Sequence, residues 1–355
     1  MNENDFKFFK ELIEAPSPSG FEQPAQRVIR EALADVADDV RTDVMGNVVA
    51  HVKGPKGAPR LMLAGHCDEI GFMVKYVDDQ GYLFFAPIGG VDAHLVPGQR
   101  VTVHTSGGPI AGVVGKRPIH QIEVKDRETV VPFKSQFIDV GCSSKDEAVE
   151  LVSIGDPVTF RVGVERLQGT RLTSRAFDDK MGAFIVAQVL REVRRQNRMT
   201  VDLHGVSTVQ EEVGLRGGAT SAYGVQPDIG IAVEVGFASD YPGADHKDLG
   251  EVSLGKGPVI ARGPNINPVL FDLLKKTAEE ENIPCQIMGI PRATGTDANV
   301  MQLVHGGVAT ALISIPLRYM HTPVEVLDWV DLEGAVKLLS ALCSRIAKDH
   351  SFVPN

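Results

Sequence analysis

The chain has 355 residues, enough for about two domains, and its 43% hydrophobic and 23% charged residues are ordinary for a globular protein with a large core. With 36 Lys and Arg against 46 Asp and Glu the formal charge is −10, a surface that repels phosphate backbones and excludes nucleic acid as a natural partner. No apolar run approaches the ~18 residues of a membrane span, residues 1–10 lack a leader-type apolar core, and the cysteines at 67, 142, 285 and 343 stand singly, so a soluble cytoplasmic protein without membrane partner, disulfide framework or thiolate zinc site is expected.

Phe6, Phe9, Leu12 and Ile13 recur at helical spacing. The Pro16-Ser17-Pro18-Ser19-Gly20 stretch then breaks the chain before a second helix with Val28, Ile29 and Leu33 on its apolar face. Residues 48–52 and 60–64 read as strands around the turn Gly54-Pro55-Lys56-Gly57, and the second runs into Gly65-His66-Cys67-Asp68. From about 72 to 165 the texture changes. Short β-rich runs at 81–86, 100–105, 110–114 and 157–162, punctuated by glycine, predict a small β-barrel or sandwich. Its one short helix starts at Ser144 with Glu147 three residues on, the pattern of a capping box. After Thr173 helix and strand alternate. Helix 179–195 carries Met181, Ile185, Val189 and Val193, and strands 201–209 and 229–235 follow. Helix 268–281 opens with Asn267 as cap and Pro268 at its first position, strand 308–315 comes next, and a last helix from about Asp331 carries Leu332, Val336, Leu339 and Ile346. Such alternation predicts a three-layer α/β fold around a mostly parallel sheet. Residues 1–71 and 166–355 are expected to form its catalytic domain, with 72–165 as an inserted β-barrel domain.

Ligands of such sheets bind at the carboxyl ends of strands. Five places carry metal-capable residues there: His66 and Asp68 after the strand at 60–64, Asp178-Asp179 before helix 179–195, Glu211-Glu212 after strand 201–209, Glu234 in strand 229–235, and His321 after strand 308–315. With 46 acidic residues in the chain, adjacent acidic pairs such as Asp38-Asp39 and Asp78-Asp79 arise by chance, and a lone histidine is more often structural. The conjunction of two histidines and several carboxylates at element ends of one domain is what points to chemistry. That donor set suits zinc, cobalt or manganese. Asp68 is placed to orient His66. A carboxylate shared by two metals can hold them ~3.5–4 Å apart, and one glutamate of the Glu211-Glu212 pair is then free to carry protons. Gly250 to Lys256 fits GxxxxGK, but Gly257 stands where a nucleotide loop needs Ser or Thr. The histidines at 51, 94, 104, 120, 204, 246, 305 and 350 have no compelling partners.

Several stretches resemble the cobalt- or zinc-dependent aminopeptidases of the tetrahedral (TET) type, which include glutamyl and deblocking aminopeptidases. They are 65–74 (GHCDEIGFMV), 174–182 (SRAFDDKMG), 209–217 (VQEEVGLRG), 295–298 (GTDA) and 315–321 (IPLRYMH). The resemblance implies a metallo-exopeptidase-like fold acting on peptides, with two divalent metal ions, zinc or cobalt, per chain. It implies that His66 binds one metal, Asp178 bridges both, Glu212 and His321 bind the other, and Glu211 is the general base, with Asp68 supporting. The remaining ligand falls on Glu234, where the family usually has Asp. Cys67 replaces a Met, and Lys180 stands where Arg is common. Gly295, Thr296 and Asp297 are expected to line the substrate pocket, and the Asp178–Asp179 peptide to be cis. In relatives the β insert mediates dimerisation, and dimers assemble into hollow dodecamers. Two further readings keep the site but change the use: a deacylase or carboxypeptidase, or a non-catalytic shell protein with a decayed site. Relatives have also been labelled endoglucanases, but one Trp and 6% aromatics leave little for stacking sugars.

Overall fold

The computed structural model describes residues 2–354. Helix α1 (Glu3–Glu14) is capped by Asn2, whose side chain accepts from the Asn4 and Asp5 amides, and it buries Phe8, Phe9, Leu12 and Ile13. After the Pro-Ser-Pro break, α2 (Gln23–Leu33) buries Ile29 and Leu33. The hairpin of β1 (Asp39–Thr42) and β2 (Val48–Val52) leads to β3 (Arg60–His66). Then comes the insert: β4 (Gly71–Val77), β5 (Leu83–Ile88), β6 (Arg100–Thr105), β7 (Gly108–Gly115), β8 (Phe137–Asp139) and β9 (Pro157–Phe160) close into a barrel in the order β4-β5-β8-β7-β6-β9. Its helix α3 (Lys145–Leu151) is capped by the Ser144 hydroxyl, but the Glu147 carboxylate accepts from the Ser143 amide. The capping box read from the sequence is therefore half formed.

The chain returns through β10 (Glu165–Arg166) and β11 (Arg171–Ser174) to the long α4 (Phe177–Gln196), then β12 (Asp202–Thr208), α5 (Arg216–Val225) and β13 (Ile229–Phe237). Next are α6 (His246–Leu249), β14 (Val259–Arg262), α7 (Pro268–Glu280), β15 (Gln286–Gly289), α8 (Asp297–Met301), β16 (Ala309–Leu317), β17 (Glu325–Asp328) and α9 (Trp329–Leu342). The main sheet has eight strands in the order β1-β2-β12-β3-β13-β16-β14-β15. Its centre, β12-β3-β13-β16, is parallel, while β2 and β14 run antiparallel to their inner neighbours. This is the expected α/β architecture with an inserted barrel. Residues 229–235 of β13 and 60–64 of β3 are buried throughout or nearly so, the continuous apolar run of a strand covered on both faces. The barrel has a core of its own, built on Phe72, Phe85, Val101, Val158 and Phe160.

The last helix starts two residues before Asp331, with Asp328 as cap accepting from the Val330 amide, and it stops at Leu342, short of Ile346. Strands β1, β4, β8, β10, β11, β14, β15 and β17 and helices α5, α6 and α8 are not among the elements read from the sequence; most are short, and α5 is glycine-rich. Among the described residues no helix is long and apolar enough to cross a membrane.

Candidate metal centre

The carboxyl ends of the central strands deliver the chemistry. β3 ends on His66, and the turn after β12 carries Glu211 and Glu212. β13 continues past its last pairing with β3, at Ala232, and there presents Glu234; His321 follows β16. Asp178 arrives from the other side, on α4. Ala176 enters that helix with φ 61°, and Asp178 and Asp179 keep non-helical dihedrals across a cis peptide bond, as the resemblance implies. Two glycines let α4 come this close. A Cβ on Gly182 would lie 2.2 Å from the Val233 carbonyl oxygen, and one on Gly65 2.4 Å from the Gly182 carbonyl carbon.

The result is two trios, His66–Asp178–Glu234 and Asp178–Glu212–His321, each with its donor atoms within 4.8 Å of one another. Asp178 belongs to both: its Oδ1 lies 3.2 Å from His66 Nε2 and its Oδ2 3.2 Å from His321 Nε2. Glu234 Oε2 is 3.5 Å from His66 Nε2, and Glu212 Oε1 is 3.3 Å from His321 Nε2. Glu211 is in neither trio; its Oε2 stands 3.8 Å from His66 Nε2.

The hydrogen bonds behind the imidazoles decide what fits between these groups. Nδ1 of His66 lies 3.0 Å from the Asp68 carbonyl oxygen and Nδ1 of His321 lies 2.9 Å from that of Gly90. Each Nδ1 therefore donates, and in the neutral ring Nε2 carries the lone pair. That lone pair faces carboxylate oxygens, acceptor against acceptor, and only a cation or a proton relieves the contact. While His321 Nε2 carries no proton, Glu212 Oε1 is buried without a hydrogen-bond donor, as is Asp179 Oδ1. Left to protons alone, the site titrates abnormally. Hydrogen bonds to Asp178 and Glu212 hold the His321 proton up to about 11. Burial, aided by Asp297, Glu212 and Asp178, pushes Glu211 up to about 8. Burial, with Asp179 adding to it, raises Glu234 well above the carboxylate range. Two imidazoles and a bridging carboxylate form a borderline-hard donor set, and these residues fit two divalent metal ions.

Support comes from residues of unequal legibility. Asp68 is wholly buried. Its Oδ1 accepts from the Glu211 amide at 3.0 Å, and its Oδ2 from the Glu212 amide at 3.2 Å and the Ser19 hydroxyl at 2.7 Å. The carboxylate thus positions the Glu211-Glu212 turn, while the Asp68 carbonyl orients His66. Glu325 carries no signal in the sequence. Its carboxylate accepts from the amides of Phe177 (2.8 Å), Asp178 (3.3 Å) and His321 (3.0 Å), tying both ends of the second trio together. Gly90 comes from the insert: the loop after β5 touches the centre. A further buried network lies behind it. The Glu69 carboxylate pairs with Arg175 and, at 2.8 Å, with Lys180. Lys180 also donates to the Ile13 and Ala15 carbonyls at 3.1 and 2.5 Å. Its departure from Arg therefore sits in a wholly buried anchor between α1 and α4. Cys67 is buried among core residues, and burial pushes its thiol well up.

A cleft of about 510 Å³ opens over the two trios. Gly295 and Thr296 line it, whereas Asp297 is buried behind, its Oδ2 accepting from the Thr208 hydroxyl at 2.6 Å. A larger groove of about 870 Å³ between α4 and α9 holds none of these residues. The histidines do hold one surprise. His51 and His204 share Asp202, at 2.9 and 3.3 Å, across the β2–β12 pairing, and their rings stack 4.2 Å apart at 3°. A metal bonded to both would have to lie in both ring planes at once, so parallel rings make no cation site.

Residues 46–338 match the family model of the M42 glutamyl aminopeptidases. The lysyl aminopeptidase of Pyrococcus furiosus is 40% identical over 355 residues, 99% of each chain. The TET aminopeptidase of a marine sediment Thaumarchaeota archaeon superposes with a TM-score of 0.93 at 34% identity, over 97% of each chain. The Pyrococcus horikoshii TET1 peptidase, described as assembling into a tetrahedron or a large octahedral shell, gives 0.86 at 31% identity, covering 96% of this chain and 100% of that one.

Proposed function

This chain belongs to the M42 glutamyl aminopeptidase family, and from that premise we propose that it is a dinuclear metal-dependent aminopeptidase, releasing N-terminal residues from peptides. The observation that carries this reading is Asp178, one carboxylate reaching a histidine on either side, with Glu211 left over beside it. Two zinc or cobalt ions, held by His66, Asp178 and Glu234 and by Asp178, Glu212 and His321, would acidify a water and polarise the first peptide carbonyl. Glu211 takes the water proton and returns it to the departing amine. Asp68 keeps Glu211 and Glu212 in register through their amides. Gly295 and Thr296, backed by Asp297, wall the substrate cleft. Glu234, one methylene longer than the usual Asp, still brings Oε2 to 3.5 Å from His66, which supports a working first site over a decayed one.

We further propose that copies associate through the barrel into dimers and dodecamers. Tyr76, Val149, Leu151 and Ile154 stand exposed on β4, on α3 and just beyond it, and the TET1 peptidase of P. horikoshii assembles into closed shells. The test of the activity is direct. Metal-stripped protein should hydrolyse aminoacyl anilides only after zinc or cobalt is restored, and should ignore the same anilides N-acetylated. Cleavage of acetylated or C-terminal substrates instead would establish the deacylase or carboxypeptidase use of the site.

A further inference from the structure

We infer that the cleft selects an uncharged, apolar N-terminal side chain, of the leucine, methionine or phenylalanine kind; this rests on the aminopeptidase reading and names its substrate class. Glu234 pairs with Ser314 across β13 and β16, Ser314 with Val259 across β16 and β14, and Ala261, two residues on, with Met288 across β14 and β15. Cross-strand partners and alternate residues share a face. A row therefore runs from the metal ligand Glu234 over Ser314 to Met288, along which the first side chain of a bound peptide would lie. Gly236, next on the same face of β13, has no side chain to block it; a Cβ there would stand 3.0 Å from that of Ser314.

The walls along that row are apolar: Leu215, Phe237, Met288, Ile290, Leu312 and Met320 all line the cleft. Its other lining groups away from the metals are small or uncharged, namely Val235, Gly236, Thr294, Gly295, Thr296 and Ser314, and the Thr294 hydroxyl already donates to Asn265 Oδ1 at 2.8 Å. Every charged lining residue is one of the six at the metal centre. A glutamyl substrate needs a cation at the far end, and among the described residues no Lys or Arg lines the cleft. The arginines near its walls are committed or outside: Arg216, next to Leu215, is exposed, donates to Gln210 Oε1 at 3.2 Å and is not among the lining residues. Arg318 forms a double hydrogen bond with Asp240 at 2.7 Å for each contact, Arg262 lies 5.2 Å over the Phe271 ring, and Arg292 is exposed and does not line the cleft. A lysyl substrate needs a carboxylate there, and those present are taken up by the metals and the proton relay. An unpaired charge against such walls is strongly disfavoured, whereas each methylene placed in an apolar pocket is worth about tenfold or more in kcat/KM. Flexible methionines at 288 and 320 would let side chains of different shape fit.

The experiment is a kcat/KM series for the metal-loaded enzyme on Leu, Met, Phe, Ala, Lys and Glu p-nitroanilides. Thermal-shift titration with free leucine, lysine and glutamate gives a binding readout that does not depend on turnover. Leu, Met or Phe should exceed Lys and Glu by at least tenfold, and leucine should bind most tightly. Lys or Glu at or above that level would overturn the apolar pocket and leave the aminopeptidase reading standing. Failure on all six anilides by protein with verified bound metal would overturn that reading itself. Met288→Glu should raise the Lys-to-Leu ratio at least tenfold, mainly through KM, and Met288→Lys should do so for Glu to Leu. Two folded variants with unchanged ratios would show that the side chain lies elsewhere and overturn the inference.

Discussion

Glu211 and Glu212 are neighbours in the chain, yet Glu212 faces His321 at 3.3 Å while Glu211 turns toward His66 at 3.8 Å. Their amides sit on the two oxygens of one buried aspartate, so the side chains diverge from a fixed base. Glu211→Gln should lower kcat by about 10²–10⁴-fold while elemental analysis still finds two metals per chain; near-normal turnover would take the base role from Glu211. At Glu69 the stake is stability. Burial alone would raise this carboxyl, but Arg175 and Lys180 overcome it and hold it below the usual range. Glu69→Gln leaves two buried cations without their partner, and should cost about 3–5 kcal/mol in urea unfolding. The sign with pH follows from the lowered value: the ionised carboxylate stabilises the fold above the unfolded value near pH ~4.3, and that contribution fades as pH falls through the folded value. The deficit of the variant should therefore hold from pH 7 to 5 and shrink in more acidic solution. A deficit that grew on acidification would contradict the ion network.

Helix α4 is the element on which the centre depends. Its periodic Met181, Ile185, Val189 and Val193 are all buried and make the body of the helix legible. Its first turn is not legible, because Asp178 is set by Glu325 beneath and by the close approach to β3 and β13. Gly182→Ala would press a Cβ to 2.2 Å from the Val233 carbonyl and 2.3 Å from Asp179 Oδ2. Such overpacking should cost about 1–3 kcal/mol, and by moving Asp178 should weaken metal binding in a titration of stripped protein at least tenfold. Stability and affinity both unchanged would mean that α4 has slack. The same close packing hides α5 from a sequence reader. Gly217 and Gly218 give the helix no apolar period to read, but a Cβ on them would meet the Val209 carbonyl at 2.4 Å and the Asp297 carboxylate at 2.3 Å. Those glycines serve contact rather than flexibility.

At the scale of the whole molecule, the proposed metal centre joins parts that are far apart in sequence: the end of β3, the start of α4, the turn after β12, β13, the segment after β16 and a loop of the inserted barrel. Removing the metals should therefore loosen the whole domain, since any ion bound at 1,000 times its Kd contributes about 4 kcal/mol. In the stripped protein, the hydrogen bonds His321 donates to Asp178 and Glu212 raise its proton to about 11, and burial first of all raises Glu211 to about 8. A raised imidazole stabilises below its unfolded value near ~6.5 and loses that contribution as pH climbs through its folded value; a raised carboxyl gains it as pH falls below about 8. Both act in one direction. Stripped protein should melt higher at pH 6 than at pH 9, while metal, which needs deprotonated ligands, should widen the gap between loaded and stripped protein as pH rises. A gap that stays constant from pH 6 to 9 in calorimetry would refute the coupling.

The sequence by itself determined the α/β architecture, the barrel between its halves and the residues that could hold metal, because burial on both faces of β3 and β13 demands long apolar runs, and function demands rare residues just beyond them. The family resemblance added their roles. Tertiary structure alone decided which groups meet: Glu325 under Asp178, Gly90 behind His321, Glu69 between Arg175 and Lys180, and the Ser314–Met288 row that shapes the cleft. Such contacts depend on strand register and on the closeness of packed backbones. Both arise between segments distant in the chain, and neither leaves a local period in it.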